Sequence, residues 1–176
     1  MAADYPTRIR SLHRALGIPA DYVTQRRLPL QREAARSVPV GPATDDGKPV
    51  RLSPRAARAW TQMRAAAAKD GVVLLALSGF RSVARQARII REKRAAGQTL
   101  AEILQLVAAP GCSEHHTGRA LDLGTPGHAG LDEEFAKTSA FRWLKRRAAR
   151  FGFRLSYPRK NCHGIGFEPW HWCWHG

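Results

Sequence analysis

Glu168 stands three residues before His171 in the run Phe167-Glu168-Pro169-Trp170-His171-Trp172-Cys173-Trp174. Pro169 between them argues against a helix interior. The segment therefore reads as strand or turn, with its tryptophans placed to wall a dry pocket. A carboxylate and an imidazole in such a pocket are costly without partners. A second group lies upstream, Cys112-Ser113-Glu114-His115-His116-Thr117-Gly118, followed by Asp122 between Leu121 and Leu123. Catalytic zinc needs three protein ligands from His, Asp, Glu or Cys and an open position for water. Hydrolysis needs a further, unligated carboxylate to take a proton from that water. His115, His116, Asp122, His163, Glu168, His171 and His175 could supply these groups. Asp122 is the most informative, because a carboxylate in a half-buried strand calls for a metal or an arginine nearby. Spacing alone leaves the ligand set open, including a structural zinc site built from Cys112, His115, Cys162 and Cys173.

The elements that must position these groups follow from periodicity and punctuation. Pro6–Leu16 carries Ile9, Leu12 and Leu16 at helical spacing. Pro19, Pro29, Pro39, Pro42 and the turn-like Asp45-Asp46-Gly47 come next. Residues 1–50 thus read as an arm or flap packed on a main body of residues 51–176, all within one structural domain. Ser53-Pro54 opens a helix, with Ser as N-cap and Pro at the first helical position; it runs through Trp60, Met63 and Ala67 to Gly71. The continuous apolar run Val72–Leu77 predicts a buried strand. Val83–Ala96 predicts a second helix closed by Gly97, and Thr99 with Glu102 forms a capping-box pattern that opens a third. Arg119–Leu123 reads as a strand and Ser139–Phe151 as a fourth helix. Phe153–Tyr157, Gly164–Phe167 and Trp170–Trp174 read as the last strands. Short strands interrupted by helices predict an α+β fold, a small antiparallel sheet flanked by helices.

Composition narrows the class. At 176 residues, 44% hydrophobic and 24% charged, the chain suits one globular domain with a real core. No apolar run approaches the roughly 20 residues of a membrane span. Three cysteines give no disulfide framework. The net charge of +15 favours anionic partners. Between Glu134 and Glu168 there is no acidic residue, while Arg142, Lys145, Arg146, Arg150 and Arg154 are among the cations there. That stretch reads as a solvated helix face or as an anion-binding surface.

Three strings, in order along the chain, are specific when taken together. They are Ser78-Gly79-Phe80-Arg81-Ser82 with Gln86, then Ser113-x-His115-x-x-Gly118-x-x-x-Asp122, then Glu168-x-x-His171. These closely resemble the VanY-type D-alanyl-D-alanine carboxypeptidases, part of the zinc peptidase group that includes lysostaphin and the hedgehog signalling domain. The resemblance covers roughly residues 70–175 and touches Leu155-Ser156-Tyr157-Pro158. It implies a hedgehog/D-Ala-D-Ala-peptidase-like fold and a Zn2+ cofactor held by His115, Asp122 and His171. It further implies Glu168 as the general base that activates a zinc-bound water and then protonates the leaving amine. Arg81 is implied to bind the substrate's terminal carboxylate, with Gln86 and Ser113 lining that subsite; an arginine fork matches a carboxylate bidentately. Tyr157 and Trp170 are expected as pocket walls. His116 falls where the family has no ligand.

The implied reaction is removal of the terminal D-alanine from peptidoglycan stem peptides or muropeptides. It could be D,D-cleavage of a pentapeptide or L,D-cleavage of a tetrapeptide. Met1-Ala2-Ala3-Asp4 shows no basic segment followed by an apolar one. A cytoplasmic location is therefore expected as the sequence stands, and a periplasmic or cell-wall location if a leader precedes it. A cytoplasmic enzyme would meet recycled muropeptides, which favours L,D-trimming. Two further readings are a peptidoglycan endopeptidase of phage-lysin type and a basic nucleic-acid-binding module with a structural zinc. The latter leaves Glu168 unexplained and has no recognition motif, so no nucleic-acid partner is expected. A monomer is the expected state.

Overall fold

The computed structural model describes residues 4–43 and 48–176. Helix α1 (Tyr5–Leu16) starts at Asp4, whose side chain accepts the Thr7 N–H, and ends at Gly17 in the left-handed conformation. A single helical turn, α2 (Tyr22–Gln25), follows. The next elements are an antiparallel hairpin, β1 (Val38–Ala43) and β2 (Pro49–Leu52). The sequence reading found no strands here, because Pro39, Gly41 and Pro42 hide the alternation. A two-stranded ribbon with open edges tolerates those prolines. The Asp45-Asp46-Gly47 turn expected between them lies outside the described residues.

Helix α3 (Pro54–Lys69) begins as expected at Ser53-Pro54, although Ser53 makes no side-chain capping bond. Its N–H donates to the Gly118 carbonyl instead, which ties the helix start to the histidine-bearing turn. Strand β3 (Leu75–Ser78) is shorter and later than Val72–Leu77 and only half-buried. It is an edge of the four-stranded sheet, and Val73 is exposed. Helices α4 (Val83–Ala95) and α5 (Leu100–Leu106) follow, the latter with both arms of the Thr99–Glu102 capping box in place. The remaining regular elements are β4 (Ala120–Gly124), α6 (Ser139–Arg147), β5 (Phe153–Leu155) and β6 (His171–Trp174). The fourth predicted helix tightens into a 3-10 turn over Ala148–Phe151 before Gly152 stops it. Gly164–Phe167 is not a strand. Gly164 is left-handed, and the segment hangs on separate bonds, Gly166 N–H to the Gln105 carbonyl and Glu168 N–H to the Tyr157 carbonyl.

The main sheet has the order β3-β4-β6-β5 and is antiparallel throughout. This is the α+β arrangement expected, helices around a small antiparallel sheet. Alternation along β4 and β6 separates two environments. Leu121, Leu123 and Trp172 join Leu52, Trp60, Met63, Trp143 and Leu144 in a core beneath α3 and α6. Asp122, His171 and Cys173 therefore project from the opposite face. A second core unites Leu16, Ile18, Tyr22 and Leu28 with Ile90 of α4, Ile103 and Leu104 of α5, and Tyr157. Strand β4 is buried along its whole length, not half-buried, because it is a central strand covered on both sides. No helix among the described residues is long and apolar enough to cross a membrane.

Candidate active site

Asp122 and His171 are direct cross-strand partners in the β4–β6 register, which fixes their separation by main-chain pairing. His115 reaches them from a 3-10 turn, Glu114–Thr117, whose exit residue Gly118 is left-handed. That turn is tied to the segment after β3, where the Arg81 N–H donates to the His115 carbonyl. Gly79 matters for the same approach. A Cβ there would collide with the Arg51 carbonyl of the hairpin, so only glycine lets β2 sit this close. The Gly79 carbonyl then accepts the His115 Nδ1–H at 2.7 Å.

These bonds determine which ring atoms face inward. A carbonyl only accepts, so His115 carries its proton on Nδ1 and points Nε2 at Asp122 Oδ2, 3.3 Å away. On His171, Nε2–H donates to Glu114 Oε2 at 2.9 Å, and Nδ1 faces Asp122 Oδ1 at 3.1 Å. One donor atom from each of His115, Asp122 and His171 thus lies within 4.8 Å of the other two, and all three residues are buried. A two-imidazole, one-carboxylate set with its outer nitrogens already bonded fits a catalytic zinc ion. Burial works against a charge on His171, but the hydrogen bonds and charges of Asp122 and Glu114 outweigh it and raise its pKa to about 10. Asp122, also buried, is nevertheless held well below the usual carboxylate range by His115 and His171. Zinc at Nδ1 would displace the His171 proton.

Glu168 lies beside this set, with Oε2 3.7 Å from His171 Nδ1. Burial pushes its carboxyl up to about 7, against the pull of His171. That value suits proton transfer near neutral pH. Arg81 approaches from the other side, with Nη2 3.7 Å from Asp122 Oδ2. Its Nη1 donates to Gln86 Oε1 at 2.9 Å, and Gln86 Nε2 in turn donates to the Ala108 carbonyl at 2.7 Å. Gln86 is therefore a fully buried brace for the guanidinium. Arg81, Gln86, Ser113, His115, Asp122, Tyr157, Glu168, Trp170 and His171 all line one open cleft of about 1240 Å³. Tyr157 belongs to the second core and also sets its ring 4.9 Å from that of His171.

The tryptophans pack together on the first core instead of walling the cleft as a set. Trp170 lines the cleft, Trp172 is on the core face, and Trp174 stacks under Arg55. At positions 170, 172 and 174, strand alternation sends all three toward the first core, on the face opposite Asp122 and His171, and of the three only Trp170, just before β6, also lines the cleft. His116 is no ligand: Nδ1–H donates to the Arg81 carbonyl at 2.6 Å, and Nε2 accepts the Gly111 N–H at 2.9 Å. Nor do Cys112, His115, Cys162 and Cys173 form a group; Cys112 is buried in the second core and Cys162 is exposed. The sequence reading missed Glu114, which holds His171, and Ser156, whose hydroxyl donates to Glu114 Oε2 at 2.6 Å. Burial would raise the Glu114 carboxyl, yet His171 and Ser156 bring it down to about 2. Its only signal was an acidic residue directly before His115.

The family model for VanY, D-alanyl-D-alanine carboxypeptidase, matches residues 49–176. The chain belongs to the VanY family. A D-alanyl-D-alanine carboxypeptidase of Enterococcus faecalis is 36% identical over 117 residues, 61% of this chain and 42% of the relative. The chain thus spans less than half the length of that curated relative. Among solved structures, the LdcB LD-carboxypeptidase superposes with a TM-score of 0.73 at 29% identity, covering 85% of this chain and 75% of that one. The vancomycin-resistance D,D-pentapeptidase VanY, solved as a mutant with Zn(II), gives 0.61 at 29%, covering 86% of this chain and 88% of that one. These neighbours share the small antiparallel sheet with flanking helices that carries the site here.

Proposed function

We propose that this chain is a zinc-dependent carboxypeptidase that removes the terminal D-alanine from peptidoglycan stem peptides. The observation that carries the reading is the convergence of His115 Nε2, Asp122 and His171 Nδ1, with Glu168 and Arg81 in the same cleft. When bound, zinc polarises the scissile carbonyl and acidifies the attacking water. Arg81, braced by Gln86, grips the substrate's terminal carboxylate and sets the position of the last peptide bond. Glu168 takes a proton from the attacking water and then gives it to the amine of the departing D-alanine, as the C–N bond breaks. Tyr157 and Trp170 wall the substrate in, and Ser113 lines the subsite beside Arg81.

L,D-cleavage of tetrapeptides is the preferred form of the reaction. The LdcB LD-carboxypeptidase gives a TM-score of 0.73, but another L,D-carboxypeptidase, DacB, gives 0.57 against 0.61 for the D,D-pentapeptidase, so fold likeness alone does not rank the two forms and a substrate assay does. Defined tetra- and pentapeptide muropeptides, incubated with and without chelator and read by mass spectrometry, test this. Loss of a single alanine from the tetrapeptide, abolished by chelator and restored by Zn2+, is expected. Release of longer peptides would instead identify an endopeptidase, and faster trimming of the pentapeptide a D,D-enzyme.

A further inference from the structure

His171, Cys173 and His175 alternate along the end of the chain, so a β-strand period sets them in a row on one side of β6. His171 is at the cleft, Cys173 is buried, and His175 is exposed just beyond the strand. Glu114 spans this row. Its Oε2 accepts from His171, while a carboxylate oxygen, Cys173 Sγ and a ring nitrogen of His175 all lie within 4.8 Å of one another. The catalytic arrangement uses neither Cys173 nor His175. Their backbone is tethered, with the His175 N–H donating to the Gly152 carbonyl and Cys173 in register with Ala120 and Arg154.

We propose that Glu114, Cys173 and His175 form a second divalent-metal site that takes Zn2+ when the ion is in excess and slows the enzyme. A thiolate, an imidazole and a carboxylate are zinc donors, and three protein ligands leave a fourth tetrahedral position for water. The exposed His175 provides the way in from solvent. Binding replaces the Cys173 thiol proton, which leaves to water. The inhibition follows from Glu114 being shared. The carboxylate that bonds the second ion is the one that orients His171, so filling the second site loosens a ligand of the first. The inhibitory part rests on the proposed peptidase activity, whereas the binding part does not.

Cobalt distinguishes the two sites, because the His115–Asp122–His171 set has no sulfur. The full chain is titrated with Co2+ in a Cys162→Ser background, since Cys162 and His163 are exposed neighbours, Sγ to Nε2 3.7 Å, that could bind cobalt themselves. The expected result is a near-ultraviolet thiolate-to-cobalt charge-transfer band matching one thiolate per chain. His175→Ala, a change at an exposed residue, is expected to shift that band to about tenfold or higher Co2+, leaving the sulfur-free site's binding unchanged. In peptidase assays, excess Zn2+ inhibits the parent, and His175→Ala needs about tenfold more for the same inhibition. No charge-transfer band at saturating Co2+, or a band that His175→Ala leaves in place, overturns the second site. Band and shift without inhibition of an active enzyme overturn the regulatory part. A chain that cleaves no muropeptide fails as a peptidase, and the cobalt band still reads the second site.

Discussion

His171 Nε2 donates to Glu114 Oε2 at 2.9 Å, across 57 residues of sequence, and so turns Nδ1 toward Asp122. Only this orientation would offer Nδ1 to a metal shared with His115 and Asp122, and Glu114 is itself held by Ser156. Glu114→Gln keeps the size and removes the charge. It is expected to lower Zn2+ affinity by about 10- to 100-fold with little change in fold. Competition against a chelator measures this; unchanged affinity would show that Glu114 does not act on His171.

Glu168 is near the metal set but outside it. Glu168→Ala is expected to retain one zinc per chain and to lose about 10²- to 10⁴-fold in turnover. His171→Ala should lose the metal as well. Metal content and muropeptide trimming, measured on the same preparations, separate the two roles; full activity in Glu168→Ala would refute the proton-transfer assignment.

Gln86 braces the Arg81 guanidinium, which in the proposed function binds the substrate's end. Arg81→Ala removes charge-assisted hydrogen bonds of about 1.5–3 kcal/mol, equivalent to roughly 10- to 100-fold in kcat/KM for free-acid peptides. Gln86→Ala is expected to act in the same direction and more weakly, because it loosens the guanidinium without removing it. Peptides with amidated ends provide the control, and an equal loss on free-acid and amidated substrates would exclude carboxylate recognition.

Gly79 couples the hairpin to the metal set. Gly79→Ala would drive a Cβ into the Arg51 carbonyl, destabilising the fold by about 1–3 kcal/mol and displacing the acceptor of His115 Nδ1–H. Lower denaturant midpoint together with weaker zinc binding is the expected pair of results. Loss of stability with unaltered zinc affinity would uncouple the two.

His116 gives the protein an acid-labile component. Burial depresses its pKa to about 4, against roughly 6.5 in an unfolded chain. Between these values the unfolded state binds the extra proton, so stability rises with pH. The contribution is present in full above roughly pH 6.5 and is lost as pH falls through about 4, up to about 3 kcal/mol in all. The raised carboxyl of Glu168 runs the opposite way, so the comparison is between variants. His116→Gln should lose less stability than the parent between pH 7 and pH 4 in urea melts. Equal losses would mean that His116 does not titrate on unfolding.

Legibility varied with the range of the interaction. Helix starts at Ser53-Pro54, Val83 and Thr99 are local chemistry and were readable, although the Ser82 cap of the second was not read. The β1–β2 hairpin was not, since its prolines break the pattern that an edge ribbon does not need. Gly164–Phe167 looked like a strand because its apolar residues alternate with glycines, yet its carbonyl partners belong to α5 and Tyr157. Trp172 and Trp174 looked like pocket walls because aromatic clustering is visible in sequence while the face they occupy is not.

Residue types and their order determined which groups could hold a metal, move a proton or bind a carboxylate. His115, Asp122, His171, Glu168 and Arg81 are chemically distinctive, and their strings are specific to one family. Only the tertiary structure decided which nitrogen of each histidine faces inward, that Glu114 rather than water holds His171, and that His116 is satisfied elsewhere. The reason is physical. An imidazole's tautomer and direction are set by the hydrogen bond its other nitrogen makes, and here those partners, Gly79, Arg81 and Glu114, come from other parts of the chain.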